Sequence, residues 1–253
     1  MQTEQKRTWL TGAHIKWIAL VTMAIDHAAA VFMEPILMNT ASAAVSYDYV
    51  RMISWGYMIL RGIGRLAFPT FCFLLVEGFY HTGNKVNYLR NLVIFAFISE
   101  VPFDLALYGK IWYWEHQNVF FTLAAGFAAI CLAEQFFSKS MKDDTNALLF
   151  RVIAVASVLG FALLTEGINT DYGAVGVATI FVLYAMHNKP VMGALFAWMI
   201  LGMTNILEFL SFPFIGAVHF YNGERGKQNK YFFYLFYPAH LLVLAILKMI
   251  IFK

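Results

Sequence analysis

Apolar residues in this chain come in runs of about 17 to 25 positions rather than as stripes repeating every three or four. Runs of that length predict helices that cross a bilayer. The runs cover residues 15–33, 52–79, 89–108, 119–137, 148–165, 175–186, 191–210 and 234–252. The second run has 28 residues and would reach about 42 Å as one helix, against a hydrocarbon core about 30 Å thick. It must tilt strongly, kink at Pro69, or begin at the interface around Trp55 and Tyr57. Residues 211–221 are apolar but short and carry Pro213 and Gly216, which suits a half-span or re-entrant turn lining a cavity. The expected fold class is therefore all-α, a polytopic transmembrane bundle of about 8–10 membrane helices in one domain over residues 1–253, with no internal repeat.

Basic residues set the expected orientation. Lys6, Arg7 and Lys16 flank the start of the first run, Lys85 and Arg90 follow the second, and Lys139, Lys142 and Arg151 follow the fourth. All fall on one side, which the positive-inside rule makes cytoplasmic, with the N-terminus there. Arg225, Lys227 and Lys230 reach that side only if residues 211–221 form a ninth crossing, and nine is the expected number. The first run carries Asp26 and His27 where a signal peptide would be uninterrupted, so it reads as a retained helix.

Composition agrees with the pattern. The 253 residues are 60% hydrophobic, 17% aromatic and only 13% charged, too few charges to clothe a soluble surface. Mean hydropathy is +0.64. The net charge of +3 forms no basic block, which excludes a nucleic-acid partner, and Cys72 and Cys131 lie in apolar runs as packing residues rather than a disulfide framework. No metal-ligand spacing, Walker sequence or dinucleotide fingerprint is present; Gly62-Ile63-Gly64 lacks the third glycine and the strand.

The informative residues are the ionisable ones inside the runs, since each costs about 2.5–3.5 kcal/mol at a helix centre unless paired or facing water. They are Asp26, His27, Arg61, Arg65, Glu77, Glu100, Asp104 and His240. Arg61 and Arg65, four apart, leave one helix face, and Gly62 and Gly64 open the backbone to close approach. Two cations on one face require an anion: a carboxylate of Asp26, Glu77, Glu100 or Asp104, or a ligand phosphate. One reading is an ion-pair network that holds helices in register; the other is an anion clamp on a phosphorylated donor or a developing oxyanion. His27, in a wet pocket, is a candidate general base. Asp26 diverges from it by about 100° on a helix, so another group must orient the ring. Glu100 and Asp104, with Pro102 disrupting the helix between them, are expected to pair with the arginines, or else to relay protons. His81 and His116 are expected at the surface, and convergence of Asp26, His27, Arg61 and Arg65 with Glu100 or Asp104 on one internal cavity is expected.

The arrangement resembles the TraX family. The resemblance runs from His14-Ile15-Lys16-Trp17-Ile18-Ala19 and Met23-Ala24-Ile25-Asp26-His27 through Leu60-Arg61-Gly62-Ile63-Gly64-Arg65-Leu66-Ala67-Phe68-Pro69, its most specific block. It continues in Leu75-Val76-Glu77-Gly78-Phe79, Glu100-Val101-Pro102-Phe103-Asp104, Asn118-Val119-Phe120-Phe121-Thr122, Asp171-Tyr172-Gly173, Tyr221-Asn222-Gly223 and Phe236-Tyr237-Pro238-Ala239-His240-Leu241. The resemblance implies an integral N-acetyltransferase of the bacterial cytoplasmic membrane. In the named member the acetyl group goes from acetyl-CoA to the N-terminal alanine of a small membrane-inserted pilin. It also implies kinship to transmembrane acyltransferases in which an intramembrane histidine and arginines line the acyl-CoA channel. On that basis Asp26, His27, Arg61, Arg65 and His240 are candidate catalytic residues, with His27 as base and His240 at the cavity mouth. Arg61, Arg65 and Arg225 would meet the acetyl-CoA co-substrate, and Glu77, Glu100, Asp104 and Asn118 would support the site, with no metal. The acceptor would be a peptide N-terminus or a glycan, in the bilayer or on its far face. The alternative function is a proton-coupled small-molecule transporter using Glu100, Asp104 and His27, and a third is an assembly protein in which the arginines only join helices.

Overall fold

The computed structural model describes residues 8–40, 46–227 and 229–252. Lys6 and Arg7, counted above for orientation, lie outside the described residues, as does the side chain of Lys230. The described chain is helical throughout, joined by turns and two isolated β-bridges. Six segments are long and apolar enough to cross a membrane: Gly12–Asn39, Tyr47–His81, Lys85–Tyr108, Val119–Ser140, Ala147–Gly167 and Phe232–Ile251. Three shorter apolar segments, Gly173–Ala185, Pro190–Gly202 and Ile206–His219, complete the bundle.

Each departure from a straight rod has a local cause. The first segment is α1 (Gly12–Ala28), a π turn (Ala29–Met33) and α2 (Glu34–Thr40). Thr11 and His14 cap α1 reciprocally. The widened turn precedes Pro35, whose ring would meet the Val31 carbonyl in regular α-geometry. The helix thus runs beyond Met33, the end expected from hydropathy.

The overlong second run is two helices, α3 (Tyr47–Gly64) and α4 (Ala67–His81), with the bend at Arg65 and Leu66. Pro69 causes it from one turn away, because a proline disturbs the carbonyl four residues before it, here that of Arg65. Within α5 (Lys85–Tyr108) the helix continues through Pro102, against the expectation that it breaks between Glu100 and Asp104, and it ends at Gly109 with φ 67°. Then follow α6 (Val119–Ser140) and α7 (Ala147–Gly167), in contact through the buried small residues Ala129, Ala133 and Ala154. Only 11% of the apolar window of α7 is buried, so this helix offers its surface to lipid.

After α8 (Gly173–Ala185) and α9 (Pro190–Gly202) the structure corrects one expected span. Residues 191–210 are not one helix. The chain turns at residues 203–205, where Asn205 accepts from the Leu207 N–H, and resumes as a 3-10 turn (Ile206–Ser211) followed by α10 (Pro213–His219). The last helix is α11 (Lys230–Ile251).

The segment before α1 is tied to the segment after α10. The Trp9 and Leu10 N–H groups donate to the Phe220 carbonyl, Asn222 N–H donates to the Leu10 carbonyl, and Gly12 N–H donates to the Glu224 carbonyl. Residues 222–227 therefore lie at the same end of the bundle as the start of α1.

Candidate functional site

The bend between α3 and α4 brings Arg61 and Arg65 against α1 at Asp26. Arg61 Nη1 lies 2.5 Å from Asp26 Oδ2, and Arg65 Nη2 lies 2.6 Å from Asp26 Oδ1, so one carboxylate bridges both guanidinium groups. Gly64 makes the approach possible: a Cβ there would overlap the Asp26 carboxyl. Arg65 also donates from Nη1 to Glu208 at 3.0 Å and to the Tyr172 hydroxyl at 3.4 Å, and from Nε to the Arg61 carbonyl at 3.3 Å. Two cations thus meet two carboxylates, and the cluster carries no net charge. The two arginines differ in what they retain. Among the described residues Arg65 engages protein through all three of its nitrogens, whereas Arg61 hydrogen-bonds to Asp26 through Nη1, lies 5.9 Å from the Tyr57 ring centre and keeps N–H donors for the space beside it.

That space is a cavity of about 630 Å³. Asp26 and His27 from α1, Glu34 and Asn39 from α2, and Arg61 and Arg65 line it, with Phe68, Tyr108, His116, Asp171, Tyr172 and Tyr237 around them.

His27 is held by a second histidine from the far end of the sequence. His27 Nδ1 is 2.7 Å from His240 Nε2, and His240 Nδ1 is 2.8 Å from the Phe236 carbonyl oxygen. A carbonyl only accepts, so His240 carries its proton on Nδ1 and offers a lone pair at Nε2. His27 must then donate from Nδ1. Its Nε2 is left with a lone pair, the form in which an imidazole accepts a proton.

Of the sequence-predicted residues, Asp26, His27, Arg61 and Arg65 share this cavity, with His240 directly behind His27 rather than at the cavity mouth. Glu77, Glu100 and Asp104 do not pair with the arginines. Glu77 lies 3.0 Å from His187 Nε2, at the α4 end that meets α8. Glu100 is bonded by the Asn118 side chain and lies 3.3 Å from its backbone N; Asn118 also donates to the Ala96 carbonyl at 2.8 Å and caps α6. Asp104 accepts from the Tyr113 N–H at 2.7 Å. The physical reason is that Asp26 and Glu208 already neutralise the guanidinium groups, while the backbone between α5 and α6 supplies donors to Glu100 and Asp104. Asn118 accordingly clips two helices together and does not line the cavity. Arg225 does not reach the arginine cluster either. Its backbone packs on Gly12, about 20 Å from Asp26 along α1. His81 is exposed as expected, but His116 is not a plain surface residue: it lines the cavity with Nε2 3.9 Å from Asp171.

Sequence reasoning missed Glu208, Asp171 and Tyr172 as parts of the site. Glu208 was detectable, because it is a carboxylate between Leu207 and Phe209 in an apolar run and invites the same question as Asp26. Tyr172 carries a different signal. It has a left-handed φ of 68°, unusual for a bulky residue, and its ring stacks on Phe68 with centroids 3.5 Å apart. Burial pushes its phenol well above the usual range, with Arg65 opposing, so the hydroxyl stays protonated.

Among known proteins, the family model described as "TraX protein" matches residues 11–248. A protein of Dichelobacter nodosus named "Probable fimbrial assembly protein FimC, serogroup H1" is 29% identical over 93% of this chain and 94% of its own length. No solved structure matches the chain. The matched span takes in α1 through most of α11, and with them every residue of the Asp26–Arg61–Arg65–Glu208 cluster and the His27–His240 pair; this chain belongs to the TraX protein family.

Proposed function

We propose that the protein is a membrane acetyltransferase, moving an acetyl group from acetyl-CoA to an amine, the N-terminus of a pilin-type subunit. The observation that carries this reading is the oriented histidine: His27, fixed through His240 to the Phe236 carbonyl, borders a cavity large enough for reacting groups. The family resemblance and the fimbrial assembly relative support a pilin-type acceptor.

In the proposed reaction the acceptor amine attacks the thioester carbonyl, and His27 Nε2 takes its proton as the C–N bond forms. Remaining Arg61 N–H donors meet the oxygen on which negative charge develops. The C–S bond then breaks, and the leaving thiolate takes the proton from His27. His240 and Asp26 position the acting groups, and Arg65 with Glu208 holds the α3–α4 bend that presents them. The transporter alternative gains less support, because Glu100 and Asp104, its proposed proton carriers, are absent from the cavity lining and engaged elsewhere.

The test is isotope transfer from labelled acetyl-CoA in membranes containing the protein, followed by mass spectrometry of what becomes labelled. Label on the N-terminal amine of a small membrane subunit is expected. Absence of any protein-dependent label, with a candidate pilin present, would refute the proposal.

A further inference from the structure

The seam between α1 and α11 has a second feature away from the cavity. At the end where α1 begins, Trp17 packs on Phe232 and Phe233 with centroids 5.4 and 5.9 Å apart, and all three line a groove of about 230 Å³ with Lys227 and Asn229. Lys16 Nζ lies 5.1 Å from the centre of the Phe233 ring, and the Arg225 backbone packs on Gly12, one helical turn before Lys16. Trp17 and Phe232 are about half-exposed, which leaves ring faces open beside cationic groups.

A ladder of rings joins this groove to the histidine pair. Phe232 packs on Phe236 at 6.0 Å, Phe236 stacks on His240 at 5.0 Å, and His240 stacks on His27 at 5.0 Å. Phe232, Phe236 and His240 are successive i, i+4 positions, so the ladder follows one face of α11. Trp17 and His27 are ten residues apart on α1, about 15 Å by helical rise. A ligand with a flat base and phosphates at one end and a reactive thioester on a long flexible arm matches this spacing of chemistries.

We propose that the groove binds the nucleotide end of acetyl-CoA, its adenine against Trp17 and Phe232 and its phosphates against Lys227 and the neighbouring Lys16 and Arg225, with the pantetheine arm spanning the about 15 Å that separate Trp17 from His27 along α1. This inference rests on the acetyl-CoA reading above and adds to it the place where the donor is held. Phosphate contacts favour the cationic end, and stacking favours a base over a lipid headgroup.

The experiment uses the full chain in phosphatidylcholine nanodiscs, with a parallel set that contains phosphatidylglycerol, and the adenosine bisphosphate half of coenzyme A, which has no thioester, as calorimetric probe. Saturable binding is expected, weakened about tenfold or more by Arg225→Glu, Lys227→Glu or Trp17→Ala and unaffected by His27→Ala. In transfer assays the charge reversals should raise KM for acetyl-CoA and leave kcat nearly unchanged. Transfer activity without nucleotide binding would overturn this inference and leave the proposed function standing. Nucleotide binding without transfer to any acceptor would uphold the groove and contradict the acetyltransferase reading. If the charge reversals weaken only retention of phosphatidylglycerol, the groove is a lipid-phosphate site and the inference fails.

Discussion

Two clusters of polar groups sit in different parts of the bundle, the first largely buried and the second partly exposed. One is Asp26, Arg61, Arg65 and Glu208 beside the His27–His240 pair; the other, near the His81 end of α4, is Glu77 with His187, and Tyr184 donating to Glu134. Both keep ionisable side chains inside an apolar bundle by partnering them. They differ in what is left over. Tyr80 stacks on His187 at 3.8 Å and lies parallel to Tyr184, so rings rather than a cavity lie against the second cluster. The first borders about 630 Å³ of space, with unspent donors on Arg61 and a lone pair on His27. An ionisable residue in a membrane helix is therefore a candidate for chemistry when it retains both valence and room, and a candidate for a structural clip when its partners use both.

Arg65→Ala should have the largest effect on stability. It leaves Asp26 without one of its two partners and Glu208 without its cation, and breaking a buried pair costs about 3–5 kcal/mol. Detergent-induced unfolding followed by tryptophan fluorescence should show the loss, and a stability close to wild type would break the claim that this cluster holds the α3–α4 bend. Arg61→Ala sharpens the contrast within the cluster. Loss of one oxyanion donor lowers kcat about 10²–10³-fold, so single-turnover transfer should fall by that order while the folded fraction recovered by size exclusion stays well above that of Arg65→Ala.

Gly64→Ala should follow, since its new methyl overlaps the Asp26 carboxyl and overpacking of this kind costs about 1–3 kcal/mol. Lower thermal stability together with reduced transfer is the expected result. The smallest effect belongs to the second cluster. Tyr184→Phe removes the hydrogen bond to Glu134 at about 1.5–3 kcal/mol, little of it reaching the cavity, so transfer per folded molecule should stay within about twofold of wild type. A large loss of turnover there would erase the distinction between the two clusters.

How far the sequence reveals this arrangement depends on how local the cause is. The long spans follow from uninterrupted apolar runs, and the bend follows from Pro69 and the excess length of its run. Asp26, Arg61 and Arg65 were legible because two cations on one helix face demand an anion in hydrocarbon. Which anion was not. Glu100 and Asp104 looked equally suitable, but a one-dimensional pattern does not say which side of α5 meets Asn118 and Tyr113 and which meets the cavity. Glu208 stands out as a carboxylate in an apolar run, but that run looks like one helix and is in fact broken at Asn205, so its place beside Arg65 was not legible. The His27–His240 contact joins residues 213 positions apart, and only the packing of the first helix beside the last creates it.

The central claim is that His27 acts on a substrate proton while His187, the histidine of the second cluster, only holds helices together. The direct measurement is single-turnover acetyl transfer by purified, folded His27→Gln and His187→Gln, side by side with wild type. His27→Gln should lose about 10²-fold or more, the usual range of a general base being about 10² to 10⁴, with acetyl-CoA binding retained. His187→Gln should remain within about twofold of wild type. Near wild-type turnover by His27→Gln, or equal losses in both variants, would contradict the account.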